Sequence, residues 1–108
     1  MEYLGGLLES KLTWDHAARM IERWQGHFAI KGIMSGEDAR RAVEVGATAI
    51  MISNHGGRQL DGTPAPVEMV AEVREAVGPD IDVIVDGGIR RGTHILKALA
   101  MGATACSI

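Results

Sequence analysis

The chain has 108 residues, 46% of them hydrophobic, with a formal net charge of −3 and a single cysteine. This length and composition fit one globular domain and not a disordered chain; the charge, with no long run of either sign, argues against nucleic acid or an anionic membrane surface as the main partner. Cys106 alone forms no internal disulfide, which fits a reducing, cytoplasmic compartment; no apolar stretch is long enough to span a bilayer, and no basic segment followed by an apolar block marks a signal peptide.

Residues 1–11 show no clear period and read as a lead-in, broken by Gly5-Gly6. From Thr13 the pattern is helical: Trp14, Ala17, Ala18, Ile21 and Trp24 share one face and are expected to be core. Thr13 is the expected N-cap, Asp15 suits the positive end of the helix dipole, and Gly26 is the expected stop. Phe28-Ala29-Ile30 then reads as a strand ending in Lys31-Gly32-Ile33. Ser35, with Asp38 three residues on, resembles a helix start; Ala39, Ala42 and Val43 make the inner face, and Gly46 ends it. Ala49-Ile50-Met51-Ile52 is the second strand. After the loop that follows it, Pro66 suits the first turn of a helix whose apolar stripe is Val67, Met69, Val70, Val73, Ala76 and Val77, closed by Gly78-Pro79. Val83-Ile84-Val85 is the third strand. Thr93 is the expected cap of a helix with Ile95, Leu96 and Leu99 inward, and Ala105-Cys106-Ser107-Ile108 begins a fourth strand. Cys106, inside that apolar run, is expected to be core and not a nucleophile. Unbroken apolar strands alternating with amphipathic helices indicate a parallel sheet covered by helices.

A repeat at an offset of 56 residues supports a (βα) architecture. Gly32-Ile33 matches Gly88-Ile89, Gly36 matches Gly92, Ala42 matches Ala98, Gly46-Ala47-Thr48-Ala49 matches Gly102-Ala103-Thr104-Ala105, and Ile52 matches Ile108.

The chemically versatile side chains fall just after strands: Lys31; Ser53, His55 and Arg58; Asp86 and Arg90. In a (βα) barrel those points share the active face. In Ser53-Asn54-His55-Gly56-Gly57-Arg58-Gln59-Leu60-Asp61, a group that exchanges protons near neutrality stands close to an arginine able to grip a carboxylate, on a glycine turn that can approach a ligand. This reads as a site for a small acid; the alternative is a glycine turn with a solvated Arg and an ordinary surface His. Asp86-Gly87-Gly88-Ile89-Arg90 before a helix reads as a phosphate cradle, or as a tight turn with Arg90 and Arg91 in water. Lys31 either faces a ligand, where it would stabilise negative charge, or is an exposed strand-end lysine. His16, His27 and His94 have no ligand spacing and read as surface or capping residues, with no metal site expected.

These motifs, with Ile30-Lys31-Gly32-Ile33, Glu37-Asp38-Ala39-Arg40 and Lys97-Ala98-Leu99-Ala100-Met101-Gly102-Ala103, resemble the FMN-dependent 2-hydroxy-acid oxidase and dehydrogenase family, the group of glycolate oxidase and L-lactate dehydrogenase. The resemblance implies a TIM barrel of which this chain is a half, strands five to eight with their helices. By this resemblance residues 1–108 are expected to be one half-barrel unit, a fragment of a longer domain. It implies FMN as cofactor and a small L-2-hydroxy acid (lactate, glycolate or mandelate type) as substrate, oxidised to the 2-oxo acid. By the same resemblance His55 is the base, His55 and Arg58 bind substrate, Lys31 and Ser53 contact the flavin ring, and Asp86, Gly87, Gly88, Ile89 and Arg90 surround its ribityl chain and phosphate. The full-length parent is expected to be a homo-oligomer without a transmembrane segment, not excluding peripheral membrane contact. The family's substrate tyrosines and the aspartate that pairs with the base belong to the other half. A half barrel also leaves sheet edges and an apolar face uncovered. The alternative reading is therefore a non-catalytic module that associates with itself or with a partner half.

Overall fold

The computed structural model describes residues 12–57, 62 and 64–108. Helices and strands alternate along it: α1 (Trp14–Trp24), β1 (Ala29–Ile33), α2 (Gly36–Glu44), β2 (Ala49–Ile52), α3 (Val70–Val77), β3 (Asp82–Asp86), α4 (Gly92–Ala100) and β4 (Ala105–Ser107). The four strands are parallel and lie in chain order, β1-β2-β3-β4. Successive parallel strands, each returned by a helix, make a partial TIM (βα) barrel.

Local chemistry accounts for most of the boundaries. The Thr13 hydroxyl accepts from the His16 amide at 3.3 Å while His16 Nδ1 accepts from the Thr13 amide at 3.1 Å, a capping box closed by an imidazole. Ser35 caps α2 by accepting from the Asp38 amide at 3.1 Å. Three boundaries differ from the sequence reading. Gln25, not Gly26, takes the left-handed position that ends α1 (φ 55°). Pro66 starts a 3-10 turn, Pro66–Met69, before α3 proper begins. Thr93 does not cap α4: Arg91 holds the N-cap position without a side-chain bond, and His94 Nδ1 instead accepts from the Arg90 amide at 3.2 Å.

The core lies on one face of the sheet. Ile50, Ile52, Val83 and Val85 are fully buried with Ala39 and Ala42 of α2 and Val70 and Val73 of α3. The residues between them, Met51 and Ile84, are only half-buried on the opposite face, as the period of two in a strand requires. Glu72 of α3 accepts from the Gly36 amide at 2.8 Å and so fastens the two middle helices together.

The helices at the two edges behave differently. No residue of α1 is buried, and Trp24, expected to be core, is 67% exposed, its Nε1 donating to the His27 carbonyl at 2.9 Å. On α4 only Ala98 is buried; Leu96 and Leu99, expected inward, are exposed. The reason is position: α1 flanks β1 and α4 flanks β4, and among the described residues no strand lies beyond either edge to complete the surface these faces match. Cys106 is half-buried against the core.

The repeat is structural down to single hydrogen bonds. The Ala47 amide donates to Ala42 O and the Ala103 amide to Ala98 O, both at 3.0 Å. Thr48 then exchanges two bonds with Phe28, its amide donating to Phe28 O at 2.9 Å and its Oγ1 accepting from the Phe28 amide at 2.9 Å. Thr104 does the same with Val83, at 2.7 and 3.0 Å. Each threonine therefore clamps the start of its strand to the preceding strand. Arg74 of α3 secures the second copy further, donating to Gly102 O, Gly78 O and Ile81 O at 2.8, 2.8 and 2.6 Å and to Thr104 Oγ1 at 3.1 Å.

Candidate functional site

The carboxyl ends of the strands bring one polar side chain each to the uncovered side of the sheet: Lys31 from β1, Ser53 directly after β2, Asp86 from β3 and Ser107 from β4. Three of them meet on the fourth. Lys31 Nζ lies 3.2 Å from Asp86 Oδ2, the Ser53 hydroxyl donates to the same oxygen at 3.2 Å, and Ser107, opposite Asp86 in the sheet register, donates a further hydrogen bond. Burial pushes the Asp86 carboxyl up, but the bonds from Lys31, Ser107 and Ser53 and the charge of Lys31 outweigh it and hold the group below the ordinary carboxylate range. Asp86 is therefore an anion at neutral pH, with Lys31 as its counter-charge.

Ser53, itself buried, links this cluster to the loop that follows. Its Oγ accepts from the His55 amide at 3.1 Å. Asn54 holds the next turn: its Oδ1 accepts from the Gly56 amide at 3.0 Å and its carbonyl from the Gly57 amide at 3.0 Å. His55 sits in the left-handed region at φ 56°, a conformation non-glycine residues rarely adopt without such support. Its imidazole is exposed and lies over Gly32 of β1. Asp86, Ser53, Lys31 and His55 thus occupy one continuous patch.

Gly87 and Gly88 follow Asp86 with φ of 97° and 75°, a reversal that L side chains resist, and carry the chain into the N-terminus of α4. A side chain at Gly88 would meet nothing within 4 Å, so space lies open over the turn. Beside it a groove of about 280 Å³ is lined by Pro66, Gly87, Gly88, Ile89, His94 and Lys97. Ile89 packs partly against the core and Arg90 is exposed at the mouth of the turn.

The structure therefore brings together Lys31, Ser53, His55 and Asp86, with the Gly87–Gly88 turn continuing from Asp86. Arg58 lies outside the described residues, with the neighbouring 59–61. Two participants escaped the sequence reading: Ser107, and Asn54 as the loop's organiser. The trace of Ser107 in the sequence is a hydroxyl at the end of an otherwise apolar strand. Among the described residues no group of three or more His, Cys, Asp or Glu side chains is arranged to share a metal ion, and no helix is long and apolar enough to cross a membrane.

Comparison with known proteins gives a consistent picture. A model of the family described as FMN-dependent dehydrogenase matches residues 1–108. Pre-mycofactocin synthase of Mycolicibacterium smegmatis is 49% identical over 96 residues, which is 89% of this chain and 24% of that protein. L-lactate oxidase of Nostoc sp. is 49% identical over 106 residues, 98% of this chain and 29% of that protein. The crystal structure of mandelate oxidase with benzoyl-formic acid superposes with a TM-score of 0.86 at 46% identity, covering 90% of this chain and 29% of that one. The chain thus spans between a quarter and a third of the length of these relatives.

Proposed function

The chain belongs to the FMN-dependent dehydrogenase family, and on that premise we propose that residues 1–108 are the half of a flavoenzyme barrel that oxidises a small L-2-hydroxy acid to the 2-oxo acid. The observation that carries this reading is the network Lys31–Asp86–Ser53–His55. It sets a cation, an anion and a hydroxyl in contact at the strand ends, with the His55 imidazole nearby over Gly32.

The donor set suits FMN. Asp86 accepts hydrogen bonds, as the ribityl hydroxyls require. The Gly87–Gly88 turn, the N-terminus of α4 and Arg90 present positive charge and open space to a phosphate. Lys31 and Ser53 would hold the ring. Bound there, FMN would supply the two-electron acceptor that takes the C2 hydrogen of the acid with its electron pair. The remaining work falls to the chain's own side chains. Arg58 grips the substrate carboxylate with its planar fork. His55 takes the proton of the 2-hydroxyl as the 2-oxo group forms. Lys31 would place positive charge beside the bound ring and favour negative charge on it. Identity alone does not select the substrate, since lactate oxidase and pre-mycofactocin synthase are equally similar at 49%. His55 and Arg58 in one loop favour the hydroxy acid. We place the enzyme in the cytoplasm and expect the full-length protein to be a homo-oligomer.

The test is anaerobic reduction of the full-length holoenzyme by lactate, glycolate and mandelate, followed at the flavin absorbance. Bleaching by at least one acid is expected, with His55→Gln retaining flavin but slowing reduction by a factor on the order of 10²–10⁴. A flavin that none of the acids reduces would sink the substrate class, and a His55→Gln rate like wild type would sink the base assignment.

The uncovered apolar faces of α1 and α4 favour a second reading for the isolated half: a module that pairs with itself or a partner half, without turnover of its own. Sedimentation of residues 1–108 across a concentration series is expected to show association; a monomer at every concentration overturns it.

A further inference from the structure

Gly32 interrupts the pairing of β1 with β2. Lys31 lies opposite Met51, yet Ile33 lies opposite Ile52, so one residue of β1 is extra at this point. Residues 31 and 33 would share a face in a regular strand. Here the bulge separates them: Lys31 is exposed at the mouth and Ile33 is buried. Gly32 itself has φ of 94°.

The space beside Gly32 is taken by a single neighbour. A Cβ added there would meet His55 Nε2 at 3.0 Å, and the next nearest atoms, at 3.8 and 4.0 Å, are Cε1 and Cδ2 of the same ring. At Gly56, Gly62, Gly78 and Gly88, which also have positive φ, an added Cβ would meet nothing within 4 Å. The His55 amide is held by Ser53 Oγ and the turn after it by Asn54, so the ring gives way by turning about its own side-chain bonds and not by a backbone shift.

We propose that Gly32 is a positioning residue for His55: the bare face of the bulge is the seat of the imidazole. One backbone irregularity then sets two groups at once, turning Lys31 to the mouth and clearing the place where the ring rests beside it. A side chain at position 32 meets the imidazole at 3.0 Å and makes the ring give way. This rests on the reading of His55 as the base, but the contact itself can be tested independently of that reading.

The experiment is a double-mutant cycle of Gly32→Ala and His55→Ala in the full-length holoenzyme, read by the urea midpoint, together with turnover and flavin affinity of Gly32→Ala alone. Backbone strain at a positive φ is common to both arms of the cycle, whereas the clash exists only when the ring is present. The Gly32→Ala penalty in midpoint is expected to be clearly smaller in the His55→Ala background. Gly32→Ala should lower kcat several-fold, since the reacting ring must give by a few tenths of an ångström, with flavin affinity little changed. Equal midpoint penalties in both backgrounds overturn the proposal, as does an unchanged kcat. Should Gly32→Ala fail to fold, folding of the double variant supports the clash, and its failure as well overturns it. Coupling in the cycle combined with normal turnover of His55→Gln would leave the contact standing while removing the base assignment, so the two failures are distinguishable.

Discussion

Lys31, on edge strand β1, forms its ion pair with Asp86 of β3, reaching across β2 and making a 3.2 Å contact on the uncovered side of the sheet. The pair joins the two places where the chain resembles a flavin site, the Lys31-Gly32 bulge and the Asp86-Gly87-Gly88 turn. It also couples them to pH. The native Asp86 carboxyl titrates below its ordinary value, so the folded state binds its proton less readily than the unfolded chain. Its stabilising contribution is fully present above the unfolded carboxylate value of about 4 and fades as pH falls through the lower native one. Urea midpoints measured from pH 6 downward should decline in the wild type over that acid range. In Asp86→Asn that part of the decline should be missing. Parallel curves for the two proteins would contradict the assignment.

Ser107 should matter to the same carboxylate. Ser107→Ala removes one of its three donors, at a cost of about 1 kcal/mol in stability. The Asp86 carboxyl, followed by carbon NMR, should titrate at higher pH in the variant. A titration superimposable on wild type would mean that the hydroxyl does not act on Asp86.

The two threonine clamps offer an internal control. Thr48→Val leaves the Phe28 amide without its side-chain acceptor, and Thr104→Val does the same to the Val83 amide. Each should cost roughly 1–2 kcal/mol, since the size is kept and an amide loses its partner. Hydrogen exchange should quicken at Phe28 in the first variant and at Val83 in the second. Exchange unaltered at both amides would show that the clamps are incidental.

Arg74 is the side chain whose loss should be felt most widely outside the core. Its guanidinium serves three carbonyls and a hydroxyl, from the end of α3, the approach to β3 and the turn into β4. Arg74→Ala should lower stability by roughly 2–3 kcal/mol by leaving half-buried carbonyls unpaired. Arg74→Lys should recover little, because an ammonium group cannot reproduce the fork. Chemical denaturation of both variants decides it, with full rescue by lysine as the contrary result.

Much of this molecule was decided along the chain itself. The parallel α/β order, the four strands to within a residue or two, the caps at Thr13 and Ser35 and the stops at Gly46 and Gly78 follow from hydrophobic period and turn chemistry, which act over a few residues. The repeat was equally legible, because an αβ turn clamped by a threonine needs the same short string each time. The string around His55 and the turn after Asp86 mark a candidate site for the same reason: both are local.

What the sequence alone left open depends on register between distant segments. That three donors converge on Asp86, that Ser107 is one of them, and that His55 rests on Gly32 follow from the pairing of β1 to β4 and from a one-residue bulge. The exposure of Trp24, Leu96 and Leu99 has the same ground. A helical face marks a residue as able to be buried, but whether it is buried depends on what lies opposite, and α1 and α4 stand at the two edges of the sheet. Periodicity is a property of one element, whereas burial, ion pairing and close approach are properties of two, and only the packed sheet determines which two meet.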